Sequence, residues 1–193
     1  MTGCHPDGML VLRLQGGEIE ALGELYELYK NRIFRAALAI TRDRQGAEDV
    51  LQEAFLRLFT HVDQIRTDVP VGPWLYRVTV NLSCTWLQKR RRRFPLLDSI
   101  LDQLAAPLHL SPERLVERGE VYEAVQRAIA NLPLSHRIVV VLFYLEGLNL
   151  SEIAEVVEIP EGTVKSRLYY ARESLKELMA GRKPLSEVLY EFT

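Results

Sequence analysis

Apolar residues recur at every third or fourth position along most of the chain. Leu22, Leu25, Tyr29, Ile33 and Ala37 form one series, Ala47, Val50, Ala54 and Leu58 a second, and Trp74, Leu75, Val78 and Leu82 a third. Each predicts an amphipathic helix, because a period of about 3.6 residues brings these positions onto one face. Strand signals are nearly absent. The one β-branched run, Ile138-Val139-Val140-Val141, lies inside a longer helical pattern. Periodicity loosens over residues 94–119, where Pro95, Pro107 and Pro112 stand among scattered acids. It returns with Val121, Val125, Ala128, Ile129 and Leu132 and continues through residues 138–145 to Leu178. The predicted fold is therefore all-α, with a helical domain over residues 1–93, a flexible linker over 94–119, a second small helical domain over 120–180 and a tail over 181–193.

Within the second domain the local signals are sharper. Gly147 breaks a helix after Glu146, and Asn149 stands three residues before Glu152, the spacing of a capping box. A short helix over residues 150–157 should be ended by Pro160, with another starting near Glu161. Ala154 allows a close crossing, and Ile153, Val157, Ile159, Val164 and Leu168 would form the shared core, which is a helix-turn-helix arrangement. At about 100° per residue, Val164, Leu168, Ala171, Leu175 and Leu178 cluster on one side of the second helix. Gly162, Ser166, Tyr169, Tyr170 and Glu173 face away from them, flanked by Lys165, Arg172 and Arg167. Cations, a hydroxyl and aromatic tips suit phosphates, base edges and thymine methyls in a major groove. An ordinary amphipathic surface helix carries similar charges, so this helix alone leaves both readings open.

Two further helices carry faces of their own. In AEDVLQEAFLRLF, residues 47–59, Ala47, Val50, Leu51, Ala54 and Leu58 share the core face. Asp49, Gln52, Glu53 and Leu56 share the opposite one, either a solvated surface or a docking surface for a basic partner helix. The third helix opens with Pro73 in its first turn and is expected to bury Trp74, Leu75, Val78, Leu82 and Trp86. Arg77, Asn81, Cys84 and Gln88 form a neighbouring polar stripe, and Lys89, Arg90, Arg91, Arg92 and Arg93 close the helix. Cations at a helix C-terminus offset its dipole by a few tenths of a kcal/mol each. Five in succession exceed that need and suggest an anionic partner.

Bulk composition changes this picture little. The chain has 193 residues, 48% of them hydrophobic and 26% charged, with a formal net charge of −2, so its cations act through segregation and not through excess. No apolar run approaches the ~18 residues of a membrane span, and no secretory signal is evident in the first thirty residues. Cys4 and Cys84 are far apart and without CxxC spacing, so a reducing, cytoplasmic setting is expected, with Cys4 and His5 on a disordered terminus. His5, His61, His109 and His136 are scattered, and there is no HExxH motif, Gly-rich phosphate loop or nucleophile–base spacing. We therefore expect no enzymatic activity, small-molecule substrate, metal site or cofactor.

The segments AEDVLQEAFLRLF, PWLYRVTVNLSCTWLQKRRRR and LNLSEIAEVVEIPEGTVKSRLYYARESL, in this order and with a linker between, resemble the extracytoplasmic-function group of the bacterial sigma-70 family. The resemblance covers about residues 25–93 as sigma domain 2 and 121–178 as sigma domain 4. It implies that Asp49, Gln52 and Glu53, with Leu56 on the same face, meet the clamp coiled coil of the largest subunit of core RNA polymerase. It implies that Asn81, on the stripe with Arg77 and Gln88, acts with the basic run from Lys89 to Arg93 to read and melt the −10 region of promoter DNA. The preceding loop, residues 67–72, would capture a flipped base, and Lys165, Ser166, Arg167, Tyr169 and Arg172 would read the −35 element. An anti-sigma factor is an implied further partner, and insertion into a membrane is not implied. Two positions depart from the family pattern: Thr85 stands where an acid is frequent and Tyr170 where a basic residue is frequent.

Two alternatives compete with an alternative sigma factor. A stand-alone helix-turn-helix regulator explains residues 121–178 but leaves the acidic stripe and KRRRR without a purpose. A helical adaptor acting only through protein contacts would use the cations as solubilising charge. Leu185, Val188, Leu189 and Phe192 predict a short amphipathic helix in the tail. Asp98, Asp102, Glu113, Glu117 and Glu120 are expected to fold back towards KRRRR, on a linker that leaves the separation of the two domains unfixed.

Overall fold

The computed structural model describes residues 5–93, 125 and 127–178, and all the regular structure within them is helical. The linker, the acids assigned to it and the tail lie outside the described residues. The elements are α1 (Pro6–Gln15), α2 (Glu20–Thr41), α3 (Arg44–Thr60), a 3-10 turn (Val62–Gln64), α4 (Gly72–Arg93), α5 (Leu134–Val140), α6 (Leu150–Val157) and α7 (Glu161–Leu178). Residues 127–131 are also helical.

α2, α3 and α4 pack on one another around Leu25, Ile33, Ile40, Leu58 and Leu75, all fully buried. α2 ends with Arg42 in the left-handed region, and Asp43 caps α3 by accepting a hydrogen bond from the Gly46 N–H at 2.7 Å. The predicted core face of α3 is buried as expected, from Ala47 to Leu58. α1 corrects the expectation of a disordered start at His5: Pro6 occupies the first helical turn, and the His5 ring nitrogen accepts from the Asp7 N–H at 3.3 Å. Val11 and Leu14 then bury α1 against the bundle.

The buried stripe of α4 also needs correction. Leu75, Tyr76, Thr79, Val80 and Ser83 are buried, whereas Trp74, Val78, Leu82 and Trp86 are only half-buried. The helix is turned so that hydroxyl-bearing residues face inward. Thr79 satisfies its hydroxyl on the Leu75 carbonyl at 2.7 Å, a local bond that composition-based reading scores as polar surface.

In the second half, α5 runs directly into a π-helical turn, Val141–Leu145, where the periodicity alone suggests one continuous helix. The Glu146 N–H bonds the Val141 carbonyl at 3.2 Å, and Gly147 then reverses the chain with φ +71°. The expected capping box on α6 is present in both directions: the Glu152 N–H donates to the Asn149 side-chain oxygen at 3.0 Å and the Asn149 N–H to the Glu152 carboxylate at 2.8 Å. α6 ends at Val157 through Glu158 in the left-handed region, two residues before Pro160. Ile153, Val164 and Leu168 are fully buried, Val157 and Ile159 half-buried, and Val156 takes part in the core unannounced by the sequence pattern.

The two helical groups share one continuous apolar core. α6 packs on α4, and the π-turn and α5 pack on α2. Arg137 of α5 is buried and donates to the Ile40 carbonyl of α2 at 3.0 Å and to its own group's Ala130 and Leu132 carbonyls at 2.8 and 3.1 Å. The expectation of an unfixed separation is thus corrected for this conformation: the groups are docked.

Candidate functional site

Three faces assembled from the predicted residues are displayed by the packed helices. On α3, Asp49 and Gln52 are exposed and Glu53 is half-exposed, held by Arg57 one turn on at 3.0 Å. Leu56 is 55% exposed and Phe59, three residues further, 45%. Two large apolar side chains thus stand in water beside the acidic stripe. Phe59 was missed from the sequence, although its spacing from Leu56 puts it on the same face.

On α7, Val164, Leu168, Ala171 and Leu175 are buried, leaving Lys165, Ser166, Tyr169, Tyr170 and Arg172 exposed and Arg167 half-buried. Tyr169 and Tyr170 meet edge-on, with ring centroids 5.5 Å apart, so the two rings form one block. The Ser166 hydroxyl donates to the Thr163 carbonyl at 3.0 Å, which leaves its oxygen able to accept from outside.

On α4 the predicted residues divide. Asn81 and Gln88 are exposed, as are Lys89, Arg91, Arg92 and Arg93. Arg90 instead folds over the Trp86 ring, 5.3 Å from its centroid, and lies 3.6 Å from the Asp43 carboxylate at the start of α3. Asp43, Gln45 and Asp49 line one side of a groove of about 850 Å³, and Trp86, Lys89, Arg90, Arg92 and Arg93 the other. Gly46 is required there: a Cβ would come within 2.5 Å of the Trp86 ring. Thr85 donates its hydroxyl to the Asn81 carbonyl at 2.8 Å, so the residue standing where an acid is frequent bonds its own helix. Cys84 is half-buried, and burial pushes its thiol up.

Arg77 is half-exposed, whereas Asn81 and Gln88 of its stripe are exposed. Its guanidinium donates to the Glu155 carbonyl at 2.5 Å and lies 3.4 Å from the Glu158 carboxylate. Next to it, the Tyr76 hydroxyl donates to the buried Glu146 carboxylate at 2.7 Å, and Arg32 reaches the same carboxylate at 3.4 Å and the Glu146 carbonyl at 3.1 Å. Burial raises the Glu146 carboxyl above the ordinary carboxylate range, opposed by the Tyr76 hydrogen bond and by Arg35 and Arg32. Burial and the facing Glu146 charge both raise Tyr76, so its hydroxyl stays a donor.

The loop before α4 is tethered from behind. Gln15 of α1 donates through one amide nitrogen to the Val62 and Ile65 carbonyls at 2.8 and 3.1 Å. The Tyr29 hydroxyl bonds the Asp7 carboxylate and packs on Gly72. Arg66 and Asp68 pair within the loop at 2.6 Å, which holds the Asp68 carboxyl below its usual range. Among the described residues no group of three or more His, Cys, Asp or Glu could hold a metal ion.

Residues 25–93 match the family model for sigma-70 region 2, and residues 122–175 match that for sigma-70 region 4. The chain is 33% identical over 186 residues to the RNA polymerase sigma-H factor of Pseudomonas aeruginosa, covering 93% of this chain and 96% of that one. It is 34% identical over 179 residues to the ECF RNA polymerase sigma-E factor of Escherichia coli K12, with 88% and 92% covered. Among solved structures, the RpoE sigma factor of Bartonella quintana in complex with the anti-sigma factor NepR matches with a TM-score of 0.71 at 19% identity, covering 83% of this chain and 98% of that one. CnrH in complex with the cytosolic domain of CnrY matches with a TM-score of 0.68 at 20% identity, with 92% and 99% covered.

Proposed function

The chain belongs to the sigma-70 family of RNA polymerase sigma factors, in its extracytoplasmic-function group, and from that premise we propose how its faces divide the work of directing polymerase to a −35/−10 promoter. The observation that carries the reading is the coexistence of outward faces on α3, α4 and α7 in a chain matching both sigma regions. Asp49, Gln52, Glu53 and Leu56, with Phe59 added, bind the clamp coiled coil of the largest polymerase subunit. The apolar pair supplies buried area, and the acids select a basic partner helix.

Lys165, Ser166, Arg167, Tyr169 and Arg172 read the −35 element from the major groove. Arg77, Asn81 and Gln88 face the −10 element, with Lys89 and Arg91 to Arg93 holding phosphates. Arg90 contributes by fixing the end of α4 on α3. The loop over residues 67–72, preceded by the 62–65 turn that Gln15 holds and packed at Gly72 by Tyr29, receives an unstacked base. Bond-making belongs to the polymerase, so this chain needs no cofactor and acts as a binding factor and not an enzyme. No helix among the described residues is long and apolar enough to cross a membrane, and we place the chain in the cytoplasm with the polymerase. An inhibitor of the class that NepR represents is a proposed third partner.

A stand-alone regulator is disfavoured because the region 2 match and the α3 face would then have no role. The test is footprinting with permanganate probing on a chain-dependent promoter. The reading requires protection at −35 and reactive thymines near −10 with chain plus core polymerase, and neither with either component alone. Protection of a palindrome by the chain alone would contradict it.

A further inference from the structure

The outward face of α7 is stepped along its length. Gly162, in the first turn, is exposed, and a Cβ built there would meet nothing within 4 Å. Its φ is not positive, so neither packing nor backbone conformation calls for glycine at this place. One turn on stands Ser166, and a second turn on stand the rings of Tyr169 and Tyr170. Each ring is 59% exposed, more than any other large hydrophobic side chain among the described residues. Their edge-on contact, with 79° between the planes, makes one apolar block broader than either ring. Beyond it Glu173, paired with Lys176 at 2.7 Å, places an acid where phosphates are repelled, so the rings close the surface that DNA can meet.

We propose that this block reads thymine methyl groups in the −35 element, with Tyr170 as the residue that sets the preference for an A·T pair there. The proposal rests on the assignment of α7 to the −35 element.

A helix stepped in this way enters a major groove tip first. The groove is about 12 Å wide, close to the diameter of a helix with its side chains, so the bare end at Gly162 and Ser166 can reach furthest in. The bulkier end, carrying both rings, stays nearer the groove walls. In that groove the thymine C5 methyl is the apolar group of an A·T pair, and an aromatic ring can recognise it without a hydrogen bond. Lys165, Arg167 and Arg172 flank the rings and supply the phosphate contacts that fix the register. Tyr170 stands where a basic residue is frequent in the family. A cation there would hold a phosphate in any sequence, or favour guanine through its O6 and N7 acceptors. A ring exchanges that contact for an apolar one and favours thymine.

The experiment uses holoenzyme, core polymerase plus the full chain, with duplex promoter DNA randomised across the −35 element. The bound fraction should carry at least one fixed A·T pair within the enriched −35 motif. Each thymine of that motif is then replaced singly by deoxyuridine, which removes the methyl and keeps every hydrogen-bonding group. At one position at least, the replacement should weaken competitive binding about 4-fold, the effect of burying one CH2-sized group. Holoenzyme with Tyr170→Ala should bind the thymine and deoxyuridine duplexes equally. Tyr170→Phe should keep the wild-type ratio, because the contact needs the ring and not the hydroxyl. A −35 motif without an A·T pair, equal binding of the two duplexes by wild type, or a ratio that survives Tyr170→Ala would each overturn the proposal. Loss of the ratio in Tyr170→Phe would overturn it too, by assigning the contact to the hydroxyl. Failure of the α7 assignment itself would appear separately, as holoenzyme that enriches no −35 motif at all.

Discussion

Exposed charge and buried charge behave differently in this chain, and single residues separate them. Glu53 is half-exposed and pairs with Arg57 on its own helix, so Glu53→Lys should shift stability by about 0.5 kcal/mol or less. Affinity for core polymerase should nevertheless fall at least several-fold by fluorescence titration, and unchanged affinity would remove α3 from that interface. Arg172 is exposed on α7, on the face proposed to read the −35 element. If it meets a base edge through two hydrogen bonds, Arg172→Ala should cost about 1–3 kcal/mol and relax preference at one −35 position, as read by competition among single-base variants. Glu146 is the buried case. Its carboxyl is raised by burial, so the docked form binds a proton that the undocked form has released. Docking is therefore strongest below the ordinary carboxylate range and weakens as pH rises through the raised value, after which it levels off. Tyr76 of α4 and Arg32 and Arg35 of α2 face this group and limit the effect. Scattering between mildly acidic and neutral pH should show compaction declining in wild type and flat in Glu146→Gln.

At the scale of elements, the helices are held by contacts that can be removed one at a time. Gly46→Ala would drive a Cβ into the Trp86 ring at 2.5 Å and dislodge Arg90 with it. Overpacking of this kind typically costs about 1–3 kcal/mol, so thermal unfolding should begin several degrees lower. Gln15→Ala leaves the Ile65 carbonyl without its side-chain donor and the Val62 carbonyl with the Ile65 N–H alone, and should slow promoter opening on duplex templates more than on premelted ones. Equal slowing on both would show that α1 does not act through the loop. The start and end of α6 and α7 were legible because Asn149, Gly147 and the apolar series on α7 are local signals. The rotation of α4 was not. Tryptophans outrank threonine and serine in any hydropathy pattern, yet Thr79 bonds its own helix and turns inward while Trp86 is drawn to Gly46. α1 was illegible for a different reason: only ten residues long, it is stabilised by packing on α2 more than by its own periodicity.

For the whole molecule, the family and the presence of two helical groups could be read from segment order, whereas their docking could not. Arg32, Tyr76 and Glu146 are separated by 114 and 70 positions in sequence, and nothing in the local pattern of any of them announces the others. The docked state replaces the expectation of an unfixed separation. On the proposed function, polymerase anchors α3 and lets α4 and α7 reach elements about 85 Å apart. The most direct measurement is transcription in vitro by core polymerase plus this chain on a promoter library randomised across −40 to −5, sequencing the starts that require the chain. The account predicts enrichment of one −35 motif paired at fixed spacing with one −10 motif, and loss of information confined to the −35 motif when Arg172→Ala is used. An absence of chain-dependent starts, or enrichment of a single unpaired motif, would contradict it.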